Sequence, residues 1–437
     1  MSHTFSPEVI AQIQERARLG GGAVRGWGAR RAVPSFDDLL LLPAGLSSGL
    51  PEGHRERCDT RTILGTRHAE EPVVLDIPIT IAGMSFGALS SAAKEALGRA
   101  AGMTGTSATT GEGGMAPVER GAAKTLVYQC LPSRYGFDPD HLRSADAVEI
   151  VLGQGAVPGG GGVLLGQKVT TPVAFMRDLP EGVDQRSASR HPDWYGPEGL
   201  RVKIEELREV TSWRIPVYVK IGAARVASDV RLAVEAGADV IVVDGMQGGT
   251  GAAADVFIEH TGVPTLAATR MAADTLRAME MEGRVQLVVS GGVRSGADVA
   301  KALALGADAV SIGVAALIAL GCNSPSDDTG ADVSLGYRAL GTVPGSCTAC
   351  HTGGCPVGIA TQDDMLADRL DPDFGAERVA NFLRALATET TMLARACGKS
   401  SVHQLGTDDL VALTVEAAAM ARVPLAGTSW IPGAPAT

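Results

Sequence analysis

Short, unbroken apolar runs alternate with segments whose apolar positions recur at helical spacing, and glycine marks most of the junctions. The pattern is cleanest in VQLVVSGGVRSGADVAKALALGADAVSIG, residues 285–313. Residues 285–289 are apolar but for Gln286 and rich in β-branched side chains, which suits a strand buried on both faces. Ser290-Gly291-Gly292 permits a tight turn, Ser295 caps a helix whose Val299 and Leu303 share a face, and Gly306 ends it. A second buried strand follows and stops at Gly313.

The same unit is repeated upstream. A strand over 77–82 meets a glycine turn and a helix over 90–100, and a second strand runs into SATTGEGGM at 107–115. Further strands are predicted at 126–130 and 148–152, in VYVKIGAAR (217–225) and in DVIVVDGMQGGTGA (239–252). This alternation predicts an α/β fold, a (β/α)8 TIM barrel running from residue 76. Glycine turns after its last two strands bring free N–H groups together, the way such barrels grip a phosphate. A phosphate-bearing cofactor is therefore expected at strands 7 and 8.

Residues 1–75 read as an arm: one amphipathic helix over 7–18, a glycine-rich break, then FDDLLLLPAGLSS. It carries no evident chemistry and is expected to cover the barrel floor or a partner. The segment 153–194 is too rich in Gly and Pro to predict packed structure, and is expected to be an active-site lid. Residues 322–362 form a Cys-rich insertion. Two helices, 375–397 and 408–421, make a helical C-terminal tail over 375–437, all within one domain of 76–437.

The chain has 437 residues and a net charge of −11, which argues against nucleic acid or an anionic membrane as the main partner. The N-terminus has no apolar signal core, so a cytoplasmic location is expected. Residues 302–321 are poor in polar side chains, but Asp308, Gly306 and Gly313 divide them into helix end, strand and helix start, not a membrane span.

Three of the seven cysteines fall in Cys347-x2-Cys350-x4-Cys355-Pro356, a spacing that lets thiolates converge on an iron–sulfur cluster. Zinc is the rival, with His351 as a candidate ligand, and Cys322 is a candidate fourth thiolate. Cys58, Cys130 and Cys397 read as ordinary half-buried thiols. Lys220, near the C-terminal end of strand 5, is a catalytic or cofactor cation or else a side chain snorkelling at the rim. Gln129 is a hydrogen-bond partner for a heteroaromatic ring. Glu112 is a general acid/base, a lid anchor or a solvated carboxylate, and Arg134 and Arg225 are candidates to pin a substrate carboxylate.

Taken in order, AGMSFGALS (82–90), TTGEGGM (109–115), Gln129 with Ser133-Arg134-Tyr135-Gly136, GQGAVPGGGG (153–162), VKI (219–221), DGMQGGTGA (244–252), SGGVRSG (290–296) and CHTGGCPVGIATQ (350–362) resemble the flavin-binding synthase domain of glutamate synthases. The resemblance implies a TIM-type barrel that binds FMN beside an iron–sulfur cluster. Carried over by position, Met84, Ser85, Gln129 and Lys220 would touch the flavin and its ribityl chain. Gly248, Gly249, Gly291, Gly292 and Gly313 would line the cofactor and its phosphate. The family's cluster has three cysteines, matched by Cys322, Cys350 and Cys355. Cys347 is extra, so 3Fe–4S and 4Fe–4S both stand.

This chain shows neither the family's amidotransferase domain nor its glycine-rich β-helix, so separate subunits of both kinds, and an electron donor, are the implied partners. The layout, including EAAAMARVPLAGTSWIPG (416–433), is similar to the FMN subunit of N-methylglutamate synthases. What that implies is an enzyme forming N-methylglutamate from glutamate and methylamine by reductive amination of the 2-oxoglutarate imine, or alternatively a glutamate synthase subunit using ammonia. Two other classes stay open: an inosinate-dehydrogenase-like barrel, whose catalytic cysteine loop is not found, and an electron-relay or scaffold subunit.

Overall fold

The computed structural model describes residues 4–20, 24–46, 49, 57–157, 159–251 and 253–433. The glycine-rich break at 21–23, the end of FDDLLLLPAGLSS at 47–48, and Pro158 and Ala252 within two of the motifs lie outside these residues. Eight parallel strands carry the core: β1 (Ile79–Ile81), β2 (Ser107–Thr109), β3 (Thr125–Cys130), β4 (Ala147–Val151), β5 (Val217–Gly222), β6 (Val240–Asp244), β7 (Gln286–Ser290) and β8 (Ala309–Ile312). Each is hydrogen-bonded to its neighbour in chain order from β2 to β8, and β8 pairs with β1. The seam between β1 and β2 is drawn together below the ladders, where Asp76 N donates to Gly105 O (2.8 Å) and the Thr106 hydroxyl donates to Ile79 O. The barrel expected from the sequence is present.

Side-chain alternation splits the strands into two sets. Val219, Ile221, Ile241, Val243, Leu287 and Val289 point outward and join the helices in the main core. Val127, Ala147, Tyr218, Val240, Val242, Val288 and Ala309 point inward and form a separate cluster. Leu64, Val73 and Leu75 complete that inner cluster. They come from the antiparallel pair Thr62–Leu64 and Val73–Leu75 in the arm, which plugs the barrel floor. Burying each such side chain contributes roughly 1.5–3 kcal/mol.

One pleat above this apolar layer the interior turns polar. Val127 gives way to Gln129, Ala147 to Glu149, Tyr218 to Lys220, Val242 to Asp244, Val288 to Ser290 and Ala309 to Ser311, all buried. Strand register sets Gln129 opposite Glu149, Asp244 opposite Ser290, and Ser290 opposite Ser311. A floor sealed by hydrocarbon thus supports a polar layer facing the C-terminal mouth.

The outer ring holds α1 (Ser91–Met103), α2 (Pro117–Ala122), α3 (Pro139–Ser144), α4 (Gly196–Val210), α5 (Val226–Glu235), α6 (Thr265–Ala278), α7 (Gly296–Ala304) and α8 (Pro372–Ala396). Helix α8, read from sequence as part of a C-terminal tail, packs between α7 and α1 and takes the eighth ring position. Its Glu389 accepts a hydrogen bond from Gly296 N (2.8 Å), satisfying the first turn of α7. The Cys-rich insertion therefore lies between β8 and its ring helix, above the barrel mouth.

Two expectations are corrected. The helix predicted over 408–421 is a 3-10 turn (Thr407–Asp409), a strand (Leu410–Ala412) paired with Leu39–Leu41, and a helix only from Val415 to Ala421. Thr414 starts that helix by accepting from Ala417 N (3.2 Å), which sets its N-terminus. The segment 153–194 does hold packed structure. Helix Thr171–Arg177 buries Val173 and Ala174 against Leu164, Val169 and Phe86, and Val163–Leu164 pairs with Gln185–Arg186. Its few apolar residues gather at one point, which no periodicity reveals.

Candidate functional site

A cavity of about 920 Å³ opens at the C-terminal ends of the strands. Its base is the polar layer. The Gln129 amide Nε2 donates to Glu149 Oε1 (2.5 Å), Lys220 Nζ lies 3.9 Å from Asp244 Oδ2, and the Ser290 hydroxyl donates to Asp244 Oδ1 (2.6 Å). Burial pushes the Glu149 carboxyl above the usual range, while Lys220 and the Gln129 amide pull it back. Lys220 does not snorkel: it is 5% exposed and shares its positive charge with two buried carboxylates. Glu149, Asp244 and Ser290 were not among the residues expected from sequence. Their signal was a polar side chain two places after an apolar one on the same strand face.

Met84, Ser85, Gly248, Gly249, Gly291, Gly292 and Gly313 all line the cavity, as do Gln129 and Lys220. Gly291 has φ +109°, and a Cβ there would lie 2.7 Å from Thr265 Oγ1 and 2.8 Å from Gly245 O, so the turn after β7 admits only glycine. Gly83, at the end of the first strand, faces the Gln129 amide. A Cβ there would lie 2.6 Å from Gln129 Nε2 and closer still to Oε1. Gly83→Ala is expected to drive the amide off Glu149 and lower at least tenfold the retention of the flavin that the sequence resemblance implies, read from the absorption spectrum; full retention would remove Gln129 from the binding site.

Behind this wall, buried Lys94 donates to Met84 O (2.6 Å) and Thr110 O (2.7 Å) and pairs with Glu119. Burial raises the Glu119 carboxyl to about 7 against the pull of Lys94. The pair fixes the loops after β1 and β2 relative to each other.

Glu112 lines the cavity and accepts from the Ser187 hydroxyl (2.6 Å), joining the loop after β2 to the lid. Arg134 and Arg225 do not line it. Arg134 spends its guanidinium on Asp193 (2.7 and 2.9 Å) and on Cys130 Sγ (2.7 Å). Arg225 is exposed at the start of α5. Neither is placed to hold a substrate carboxylate in the cavity, because Arg134 is committed to Asp193 and Cys130 and Arg225 is exposed.

Asp193 instead anchors the lid. Partial burial raises its carboxyl, but hydrogen bonds from Lys203 and Arg134 outweigh this and hold it at about 2. An acid held this low in the fold stabilises above the unfolded value of about 4 and loses that contribution as pH falls toward 2. The lid should therefore become protease-sensitive on acidification over that range, and Asp193→Asn should show the same sensitivity at neutral pH.

The arm also reaches the mouth, which the sequence did not suggest. Val24–Arg25 pairs with Ala253–Ala254 after β6, and Trp27, Gly28 and Arg30 line the cavity. Arg25 is tied down by Asp255 and Glu259.

The four candidate cysteines lie near one another at this end of the barrel. Cys322, Cys347, Cys350 and Cys355 carry free thiols, and burial raises the Cys322 thiol far above its usual value, with the other three adding to the rise. Asn323 bridges two of them: its side chain donates to Cys322 Sγ (3.5 Å) and Cys347 O (3.2 Å) and accepts from Cys347 N (2.8 Å). A Cβ at Gly26 would lie 3.1 Å from Cys350 Sγ, and one at Gly251 would lie 2.9 Å from Cys350 Cβ, so the arm and the β6 loop close over this cysteine. Among the described residues no three His, Cys, Asp or Glu side chains are arranged to hold a metal ion, so the side-chain geometry by itself supports neither zinc nor a cluster. Four neighbouring thiols with a backbone cradle do suit the donor chemistry of a polynuclear cluster. Among the described residues no helix is long and apolar enough to cross a membrane.

A parallel eight-stranded barrel with a glycine-walled cavity at its C-terminal mouth defines the class of ligand-binding (β/α)8 proteins. Comparison with solved structures agrees on the fold. A Pediococcus acidilactici lactate oxidase superposes with a TM-score of 0.53 at 16% identity, covering 87% of this chain and 84% of that one. A flavocytochrome b2 variant with benzoylformate gives 0.52 at 18%, covering 88% and 80%.

The chain belongs to the glutamate synthase family: the conserved region in glutamate synthase matches residues 53–326 and 330–400. A glutamate synthase large subunit-like protein of Rhizobium meliloti is 59% identical over 432 residues, 99% of this chain and 96% of that one. An archaeal glutamate synthase (NADPH) of Methanocaldococcus jannaschii is 41% identical over 420 residues, 90% of this chain and 78% of that one.

Proposed function

We propose that this chain is the FMN- and iron–sulfur-bearing subunit of a glutamate synthase-type enzyme that forms N-methylglutamate from methylamine. The observation that carries the flavin reading is the buried layer Gln129–Glu149–Lys220–Asp244–Ser290 beneath a glycine-walled cavity that neighbours four free thiols. Met84, Ser85, Gln129 and Lys220 would hold the ring and ribityl chain, and Gly248, Gly249, Gly291, Gly292 and Gly313 the phosphate end. Cys322, Cys347, Cys350 and Cys355 would hold the cluster.

When bound, FMN would supply hydride to the imine of 2-oxoglutarate, and the cluster would supply single electrons drawn from an outside donor. The protein's part is placement and charge. Lys220 offsets negative charge developing at the base of the cavity, and Glu149 orients Gln129 while balancing Lys220. The lid over 153–194 keeps water out, with Glu112 and Ser187 fastening it at the mouth. An amidotransferase-like subunit and a glycine-rich β-helix subunit would complete the assembly.

The second reading, glutamate from ammonia, is favoured by relatives named archaeal-type glutamate synthase (NADPH), such as that of Thermotoga maritima at 37% identity. Product analysis of the full complex, supplied with glutamate or 2-oxoglutarate and either amine, separates the two. N-methylglutamate as the main product supports the first reading; glutamate formed equally well from ammonia alone would replace it with the second.

A further inference from the structure

Lys168 ends a 3-10 turn in the lid (Gly166–Lys168) and is 2% exposed. Its Nζ donates to Ala88 O (2.8 Å), in the loop after β1, and to Cys350 O (3.1 Å). Stripping an ammonium of water costs several kcal/mol unless an opposite charge replaces the solvent. The groups beside it whose ionisation would favour the ammonium are the thiols of Cys350 and Cys355, and the nearby Arg177 is a like charge. The side chain is also wedged in place: a Cβ at Gly353 would lie 3.0 Å from Lys168 Cγ, and Gln167 Nε2 reaches Thr352 O (3.4 Å). A cation in this position is balanced when the neighbouring cysteines hold an anion.

We infer that Lys168 is the charge partner of an anionic centre held by Cys350 and Cys355, raising its reduction potential and latching the lid to it. The inference rests on the cluster reading given above. One-electron reduction makes such a centre one charge more negative, and a fixed cation in a poorly screened interior favours that form. The same side chain connects three segments, so the state of the centre is felt by the lid and by the loop after β1.

The test is a mediated redox titration of the cluster, followed by electron paramagnetic resonance, on the full-length chain with assayed iron and sulfide. Lys168→Gln keeps hydrogen-bond donors but loses the charge, and should lower the reduction equilibrium constant at least about tenfold, or 59 mV for one electron. Lys168→Arg should stay within about threefold of the parent. A Gln variant with full iron and an unchanged midpoint overturns the inference while leaving the cluster reading intact. Should the Gln variant hold no iron, the Arg variant decides: parent-like iron and midpoint support the inference, and equal loss in both overturns it. A parent chain that takes up neither iron nor sulfide under anaerobic reconstitution removes both readings.

Discussion

Lys220→Met is expected to lower turnover by about 10²–10³-fold, the cost of removing one preorganised charge from a buried site. The side chain is 5% exposed and lies in the field of Glu149 and Asp244. Orphaning a buried carboxylate costs about 3–5 kcal/mol. Here Glu149 softens that cost, because burial has already raised its carboxyl and Lys220 is a group holding it down. Without Lys220 it takes up a proton more readily, and the neutral acid is tolerated in the interior. Turnover should therefore collapse while the unfolding midpoint falls by a few degrees only. Parent-like turnover in this variant would exclude Lys220 from the chemistry.

Loss of Cys350 tests the proposed cluster through the metal content. Cys350→Ala is expected to leave less than about a tenth of the parent's iron and sulfide, since a cluster iron without its thiolate is readily lost. Cys58→Ser and Cys397→Ser, remote from the cavity, should keep it. Cys347→Ser is the informative case: retention of the cluster assigns three ligands and a 3Fe–4S centre, and loss assigns four. Full iron in Cys350→Ala would remove this cysteine from the ligand set.

Much of the barrel was legible because its strands are buried on both faces and so read as continuous apolar runs. Residues 240–243 and 287–289 are the clearest examples. The glycines at 291 and 292 were legible for a related reason, since a turn of positive φ excludes side chains whatever surrounds it. Helix α8 was visible as a helix, with Asp371 capping it, but not as a ring member: its position depends on α7 and α1 lying beside it.

By itself the sequence determined the strand–helix alternation, the glycine corners and the set of thiols, because these follow from local periodicity and backbone freedom. The tertiary structure decided which charges face one another. Glu149, Lys220 and Asp244 come from three neighbouring strands and meet only when those strands pair. Arg134 is equally basic by residue type, yet Asp193, far along the chain, claims it for the lid. Electrostatic partnership depends on distance through space, and a linear pattern does not encode that distance.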